Sequence, residues 1–570
     1  MAKQNTIDTV TDKSLRQPAS VGKENSSVHR IGINSRAVIA SSTGALLLFL
    51  ITYLLRMDSV VGLYTDDAWY VLLGKALATG HGFTLINSPS PGIFPSLYPP
   101  AYPFLLSLIW RLNPQFPQNV WMLKSVSIIA MAGAGIAVYL YLRRLRDLSH
   151  YQSLGIALAA VTCPAMVFLL TSNVLSEGVF TLATVLTLVA AEQAVRTCGK
   201  KMWSYTLLSA ALASFAYLTR SIALALIIAV FVYLLRERLI RLAVFFALGI
   251  VLFVGPWKFY AMAHAPTPVQ LAEQGGYISQ NYSTQFWQRK ASVISSGWIT
   301  AADLPHRVWR NLVKITGHSI EVVILGAFHQ DDADEDALGI GSFILSALVI
   351  AGVILAVRER VTLLEIYVAL TIMIIVLWPW DPLRFVLPLS PFVIYYLFRG
   401  VRGLYDLLQR RQPPSNLQVQ AIVLASVIWC LVALNTFGNV RRSMALHGPQ
   451  DGHPEQNLIF DESRKMLIWA REHLPDNAVI ASDNPALVYL FTGRRTISSD
   501  EPDKNVDKWN KLGVRYTVGP WNQQFILATP FSPEGKYKTI YQSDRRANLQ
   551  VVDFGPKVLT LPWETLVSRE

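Results

Sequence analysis

Long apolar runs separated by short basic loops fill the first 440 residues, and this pattern predicts helices that cross a membrane. Runs such as Ala45 to Leu55, Ile128 to Leu142, Leu154 to Leu170, Leu242 to Val254, Phe343 to Val357, Leu363 to Leu377 and Ala421 to Leu434 reach, with their flanks, the roughly 20 residues that a hydrocarbon core requires of a helix. Helices are the expected form because each satisfies its own backbone hydrogen bonds where no water is present. About eleven spans are expected, near 37–56, 119–142, 151–171, 176–195, 203–219, 221–236, 240–257, 340–357, 361–379, 383–399 and 420–438. Between the first two, the run Phe104 to Leu112 after Tyr98-Pro99-Pro100-Ala101-Tyr102-Pro103 is too short to cross. It reads as interfacial or re-entrant, with Tyr102 and Trp110 suited to the headgroup zone. A second helix in this loop is expected to open at Asp66 under a Thr65 cap and to stop at Gly80.

After residue 440 the period changes. Residues 461–474 pattern as an amphipathic helix ended by Pro475, and Ala478 to Ala481 as a strand. A helix near Asp503 to Leu512 and strands at Val514 to Val518, Lys536 to Tyr541 and Leu549 to Phe554 follow. The expected organisation is a disordered cytoplasmic tail over 1–36, a multi-span domain over 37–440 with a large outer loop at 258–339, and a small extracytoplasmic α/β domain over 441–570. The spans show no internal repeat.

Composition sharpens this picture. With 52% hydrophobic and 15% charged residues, the chain is an α-helical integral membrane protein rather than a soluble domain. None of the three cysteines lies in the large polar segments, so no disulfide framework supports them. A net charge of +12 would suggest nucleic acid in a soluble chain, but here its distribution decides. The basic residues gather at Arg30 and Arg36, Arg143 to Arg146, Arg196 to Lys201, Arg236 to Arg241, Arg358 to Arg360, and Arg399 to Arg411. Excess Lys and Arg mark cytoplasmic loops, so these loops are expected inside and no nucleic-acid partner is expected. The polar tail carries no signal peptide, and the first span is expected to be an uncleaved anchor in the inner or plasma membrane.

That threading puts the Asp66-Asp67 loop, Ser172 to Glu177, Arg220, the 258–339 connection, Trp378 to Arg384 and everything beyond about 440 on the outer side. The charges at the membrane edge therefore fall on one face, which points to a single extracytoplasmic site. Ionised groups beside hydrocarbon are costly to hold and mark function by default. Asp66 and Asp67 read either as acidic residues favoured in a first helical turn or as a general base and its pKa-raising neighbour. Arg384 reads as a snorkelling partner of Asp381 or as the holder of a lipid phosphate, for which a guanidinium fork is well shaped. Arg220 and Lys258 are similar candidates. Glu177 is a candidate ligand for a divalent cation, an organiser of the outer loops, or a simple span anchor.

These residues stand in stretches that resemble a known class. Tyr64 to Gly82 (with TDDAWYVLLGKALATGHG), YPPAYP at 98–103, LSEG at 175–178, LTRS at 218–221, GPW at 255–257 and RFVLPLSPF at 384–392 are similar to GT-C class membrane glycosyltransferases. The branch is that of protein O-mannosyltransferases and lipid A aminoarabinose transferases, which use polyprenyl-phosphate-linked sugars. The resemblance covers roughly residues 37–440. It implies that Asp66 is the catalytic base with Asp67 as its partner, that Arg384 and Lys258 face the donor phosphate, and, with less support, that Arg220 does. The chain departs from the family pattern at two points: Asp67 stands where Glu is usual, and Tyr98 stands before Pro99 and Pro100 where Lys is frequent. A phosphate contact from position 98 is thereby lost.

A phosphate leaving group is already stable as an anion, so cationic residues or a metal suffice to stabilise its departure. The base need only deprotonate the acceptor hydroxyl. Neighbours on a helix point about 100° apart, which disfavours the nucleophile-plus-acid pair of a retaining mechanism and leaves inversion. A transporter or flippase of a lipid-linked glycan is the alternative. It would call for charges near the midplane and two similar halves, which the pattern lacks. Asp331 to Asp336 alternates carboxylates like a calcium loop but has no Gly at its sixth position and Phe343 at its twelfth. His318, Glu321 and His329 nearby could supply metal ligands, but a solvated loop is the preferred reading.

Overall fold

The computed structural model describes residues 35–274, 278, 280–291, 296–326, 339–409, 417–447, 455–499, 506–519, 538–543 and 549–556. The chain divides into two compact units, Met1–Gly44 and Ala45–Glu570. Of the first, Ser35–Gly44 is described and forms the opening turns of α1 (Ser35–Arg56). The rest of the expected tail, the acidic run at 331–336 and His329 lie outside the described residues.

The second unit is helical up to residue 447. α2 (Asp66–Ala78) and α3 (Ala101–Leu112) pack together between the first two expected spans. Then come α4 (Val120–Leu145), α5 (His150–Val161), α6 (Pro164–Thr171), α7 (Glu177–Arg196), α8 (Lys200–Thr219), α9 (Leu224–Arg236, entered through a 3-10 turn) and α10 (Ile240–Ala263). The connection that follows holds α11 (Pro268–Gln274), α12 (Tyr282–Phe286), α13 (Leu304–Lys314) and α14 (Ile320–Leu325). It leads to α15 (Ile340–Glu359), α16 (Leu363–Leu377), α17 (Leu383–Val386), α18 (Ser390–Gln409) and α19 (Leu417–His447).

Each of the eleven expected segments is thus a helix or a helix pair. By length and apolarity, six helices of the described residues can cross a membrane: α1, α4, α7, α10, α15 and the 420–446 part of α19. α5 and α6 add a seventh if taken as one span bent by 48°. The bend follows from Pro164 at the first position of α6, which cannot continue the hydrogen-bond ladder of α5. α16 and the 221–236 helix are apolar but shorter.

The expected Thr65 cap is not formed. Thr65 takes φ 57° and makes no side-chain bond to α2. At the other end Gly80 adopts φ 81° and the His81 amide returns to the Ala76 carbonyl, the six-to-one bond of a glycine stop.

α13 is turned inside out. Its polar side chains Arg307 and Asn311 are buried, while Trp309 and Leu312 are exposed. Asn311 donates to the Val376 and Trp378 carbonyls at 3.0 and 2.9 Å, and Arg307 to those of Phe286 and Leu377 at 2.6 and 3.3 Å. The bonds to Val376, Leu377 and Trp378 satisfy carbonyls that the end of α16 leaves without helical partners, and the bond to Phe286 does the same for α12.

Beyond α20 (Glu455–His473) lies a five-stranded sheet in the order β2-β1-β3-β5-β4. β1 (Val479–Ser482) pairs in parallel with β2 (Arg495–Ser498) and β3 (Val514–Val518). β3 pairs antiparallel with β5 (Gln550–Asp553), and β5 with β4 (Lys538–Gln542). α21 (Pro485–Thr492) joins β1 to β2, and α22 (Val506–Leu512) precedes β3. Four strands coincide with the expected ones. α21 and β2 were not foreseen, because Arg495-Thr496-Ile497-Ser498 is too short and polar to carry a strand signal.

Candidate active site

The site forms where the turn before α2 aims two successive carboxylates in different directions. Asp66 Oδ1 accepts from the Tyr98 hydroxyl at 2.6 Å and its Oδ2 from Arg384 Nη1 at 2.6 Å. Its side chain keeps 27% exposure. Asp67 is wholly buried, and its Oδ2 accepts from the Gly62 amide at 2.6 Å. Asp67 therefore makes the contacts of a residue that orders the loop, with Asp66 left at the open side.

Arg384, in α17, joins the components. Its Nε donates to Glu177 Oε1 at 2.7 Å and its Nη1 to Asp66, while its Nη2 makes no hydrogen bond to a described residue. The guanidinium lies 5.4 Å over the Tyr64 ring. Arg220, just past α8, brings Nη1 to 2.5 Å from the same Glu177 oxygen. That contact is a close ion pair.

Glu177 opens α7, where the helix dipole favours a negative charge. Close packing holds it there. A Cβ at Gly178 would collide with the Ser127 carbonyl of α4, and Ser127 in turn bonds the Leu175 carbonyl. The sequence LSEG is thus a contact motif as well as a carrier of charge.

Tyr98 has the role that sequence reasoning missed. Position 98 contributes no cation, but its hydroxyl orients Asp66, and its ring stands edge-on to Tyr70 at 5.1 Å. Tyr70 stands likewise against Tyr102, also at 5.1 Å. Pro99 and Pro100 lead directly into α3, with Pro100 as its N-cap residue. Lys258 lies apart from the carboxylates. It is exposed near the end of α10, with Nζ 5.2 Å from the Tyr217 ring.

A second charged cluster escaped the sequence reading altogether. Buried Lys124 donates to the Asp58 carboxylate at 2.9 Å and to the Thr171 carbonyl at 2.6 Å, and Ser172 donates to the same carboxylate at 2.5 Å. A lysine inside an apolar run was the available signal. At the far end of α7, Glu192 pairs with Arg146 at 2.6 Å, so this helix carries a buried carboxylate near each end.

Glu177 turns Oε1 to two guanidiniums, whose positive charge disfavours a divalent cation beside it, and keeps Oε2 buried with no hydrogen bond to a described residue. Among the described residues no three His, Cys, Asp or Glu side chains come together as a metal cradle. Asp381, the alternative partner considered for Arg384, pairs with Lys314 at 3.2 Å instead.

Burial pushes the Asp67 carboxyl up to about 6, helped by the charge of Asp66 and opposed by the Gly62 and Ala68 amides and by Arg384. An acid whose pKa rises on folding weakens the fold as pH climbs from its unfolded value of 3.8 through about 6. The cost of ionising it in place is about 3 kcal/mol. Asp67→Asn, which keeps an acceptor for Gly62, is therefore expected to melt above wild type at about pH 8 and level with it near pH 4. Thermal unfolding of the detergent-solubilised protein across that range is the check, and a gap independent of pH would refute it.

The geometry can be set beside known proteins. Residues 98–257 match the family model described as dolichyl-phosphate-mannose-protein mannosyltransferase. No curated protein sequence matches the chain. Among solved structures, ArnT from Cupriavidus metallidurans in the apo state is similar at a TM-score of 0.53 and 14% identity, covering 91% of this chain and 98% of that one. The same protein bound to undecaprenyl phosphate gives 0.54 and 12%, with equal coverage. The archaeal oligosaccharyltransferase AglB from Archaeoglobus fulgidus, in complex with an inhibitory peptide and a dolichol-phosphate, gives 0.51 and 14%, covering 84% of this chain and 69% of that one. The resemblance to GT-C class membrane glycosyltransferases holds: the chain has their fold.

Proposed function

We propose that the chain transfers a sugar from a polyprenyl-phosphate donor to an acceptor hydroxyl on the outer face of the membrane, with inversion and with Asp66 as general base. The observation that carries this reading is the partly exposed Asp66 carboxylate, bracketed by Tyr98 and by a guanidinium whose Nη2 edge is uncommitted among the described residues. The proteins of like fold that hold dolichol-phosphate or undecaprenyl phosphate support the donor class.

In this mechanism the donor phosphate docks on the Arg384 Nη2 edge, with Arg220 adding positive charge behind it. Glu177 holds both guanidiniums in place and keeps the cluster close to neutral before the lipid arrives. The acceptor oxygen attacks the anomeric carbon, the bond from that carbon to the phosphate oxygen breaks, and Asp66 takes the hydroxyl proton. Polyprenyl phosphate leaves as an anion and needs no protonation. Asp67, turned into the core, is badly placed to serve as a second carboxylate beneath the sugar, which favours a single displacement.

The test supplies polyprenyl-phosphate hexoses and pentoses to the purified protein in lipid nanodiscs and follows free lipid phosphate together with glycosylated acceptor. Release coupled to acceptor glycosylation is expected. No release from any donor, with lipid-linked sugar scrambled across vesicles, would replace transfer by transport.

A further inference from the structure

The turn that aims Asp66 is held from outside the helical bundle. Gly62 donates its amide to Asp67, and its carbonyl accepts from Asn484 Nδ2 at 2.8 Å. Asn484 stands between β1 and α21, is buried, and uses its other side-chain atom, Oδ1, to cap α21 at the Leu487 amide at 3.2 Å. Its own amide is fixed by Ser482 Oγ at 3.1 Å. One side chain therefore ties the C-terminal sheet region to the peptide that carries the catalytic turn.

The fit around Gly62 is close. Its φ of 90° suits glycine, and a Cβ there would come within 2.7 Å of Leu487 Cδ2. Nearby contacts fasten the same two parts. Asn87 Nδ2 donates to the Thr496 hydroxyl at 3.0 Å and the Thr496 amide to the Asn87 carbonyl at 2.8 Å. The Lys75 ammonium of α2 stands 5.2 Å from the Tyr489 ring of α21.

From this juxtaposition we infer that Asn484 is a positioning residue for the transfer reaction and that the C-terminal sheet region acts as a brace which sets the Asp66 carboxylate through Gly62 and Asp67. The inference rests on the reading of Asp66 as the base. The Gly62 N–H is committed to Asp67, and its C=O accepts from Asn484 at 2.8 Å and, more weakly, from the Thr65 amide at 3.4 Å, so the turn cannot rotate without breaking a hydrogen bond, and the Asn484 bond is the one that ties it to the sheet region. A misplacement of the base by about 1 Å costs up to about 100-fold in rate, so a brace with little to do in binding the donor still governs turnover.

Asn484→Ser separates bracing from folding. Serine caps helices about as well as asparagine, so α21 keeps its cap, but the shorter side chain does not reach the Gly62 carbonyl. In nanodiscs, with a polyprenyl-phosphate sugar as donor, this variant is expected to lose at least about tenfold in kcat with donor KM within about twofold of wild type. Thr496→Val, which removes a neighbouring contact and leaves Gly62 tied, is expected to turn over at the wild-type rate. A folded Asn484→Ser variant with wild-type kcat, or one altered only in KM, overturns the brace. Where Asn484→Ser fails to fold, Asn484→Asp decides by the same kcat criterion, since it keeps the length and the cap on Leu487 but has no N–H to give the Gly62 carbonyl. Asp66→Asn is run in parallel: its full activity would remove the base assignment itself, whereas its inactivity beside a fully active Asn484→Ser would remove the brace alone.

Discussion

Asp66→Asn is expected to abolish measurable transfer, by about 10²–10⁴-fold, the usual contribution of a positioned general base. Asparagine is close to isosteric: its amide oxygen can still accept from Arg384, while its amide nitrogen can donate to the Tyr98 hydroxyl oxygen in place of accepting from it. The loss therefore reports proton abstraction and not collapse of the pocket. Donor binding should survive, since the phosphate is assigned to Arg384 and Arg220. Titration of the variant with polyprenyl phosphate, followed by intrinsic protein fluorescence, is expected to give near-wild-type affinity. Turnover equal to wild type would discard the assignment.

Arg384→Gln is expected to be nearly as damaging to rate, about 10²–10³-fold as for loss of a donor aimed at developing charge, and more damaging to the protein. Removing the guanidinium leaves Glu177, wholly buried, with Arg220 as its remaining described partner, and leaves Asp66 held by Tyr98. Breaking a buried pair from one side typically costs about 3–5 kcal/mol, so a lower unfolding temperature should accompany the lost rate. Arg384→Lys separates the two effects. A lysine restores positive charge, but as a single point it cannot reach Asp66, Glu177 and a phosphate together along three edges of a planar fork. Stability should largely return while kcat stays depressed. If Arg384→Lys matches wild type in kcat, the fork has no part in the chemistry.

How much was legible in advance depends on the range over which each signal acts. Helices were, because apolar runs and basic loops are local and the membrane leaves the backbone few alternatives. Asp66, Glu177, Arg220 and Arg384 could each be singled out because a charge at a span end is conspicuous. That two guanidiniums share one Glu177 oxygen depends on α7, α8 and α17 meeting in space, and no spacing along the chain encodes that meeting. The divergence of Asp66 and Asp67 was legible, because neighbours on a helix point about 100° apart. The turn that receives Asp67 was not: it takes positive φ at Gly62 and Thr65, and threonine gives no hint of such a conformation. Tyr98 was weighed only for the cation it does not supply, and its hydroxyl went unconsidered.

The reversed polarity of α13 has a consequence for biogenesis. The Asn311 amide, which ends up facing the last carbonyls of α16, has nothing comparable to meet until that downstream span has been synthesised and inserted, some 50 residues later, while Arg307 has only the upstream Phe286 and Gln288 carbonyls. Emerging from the ribosome, the 304–314 segment can shelter only its Trp309 and Leu312 side, against lipid at the water boundary. Maturation of this loop is therefore post-insertional, and a chain truncated before residue 363 should leave it open to protease even when every preceding span is correctly threaded.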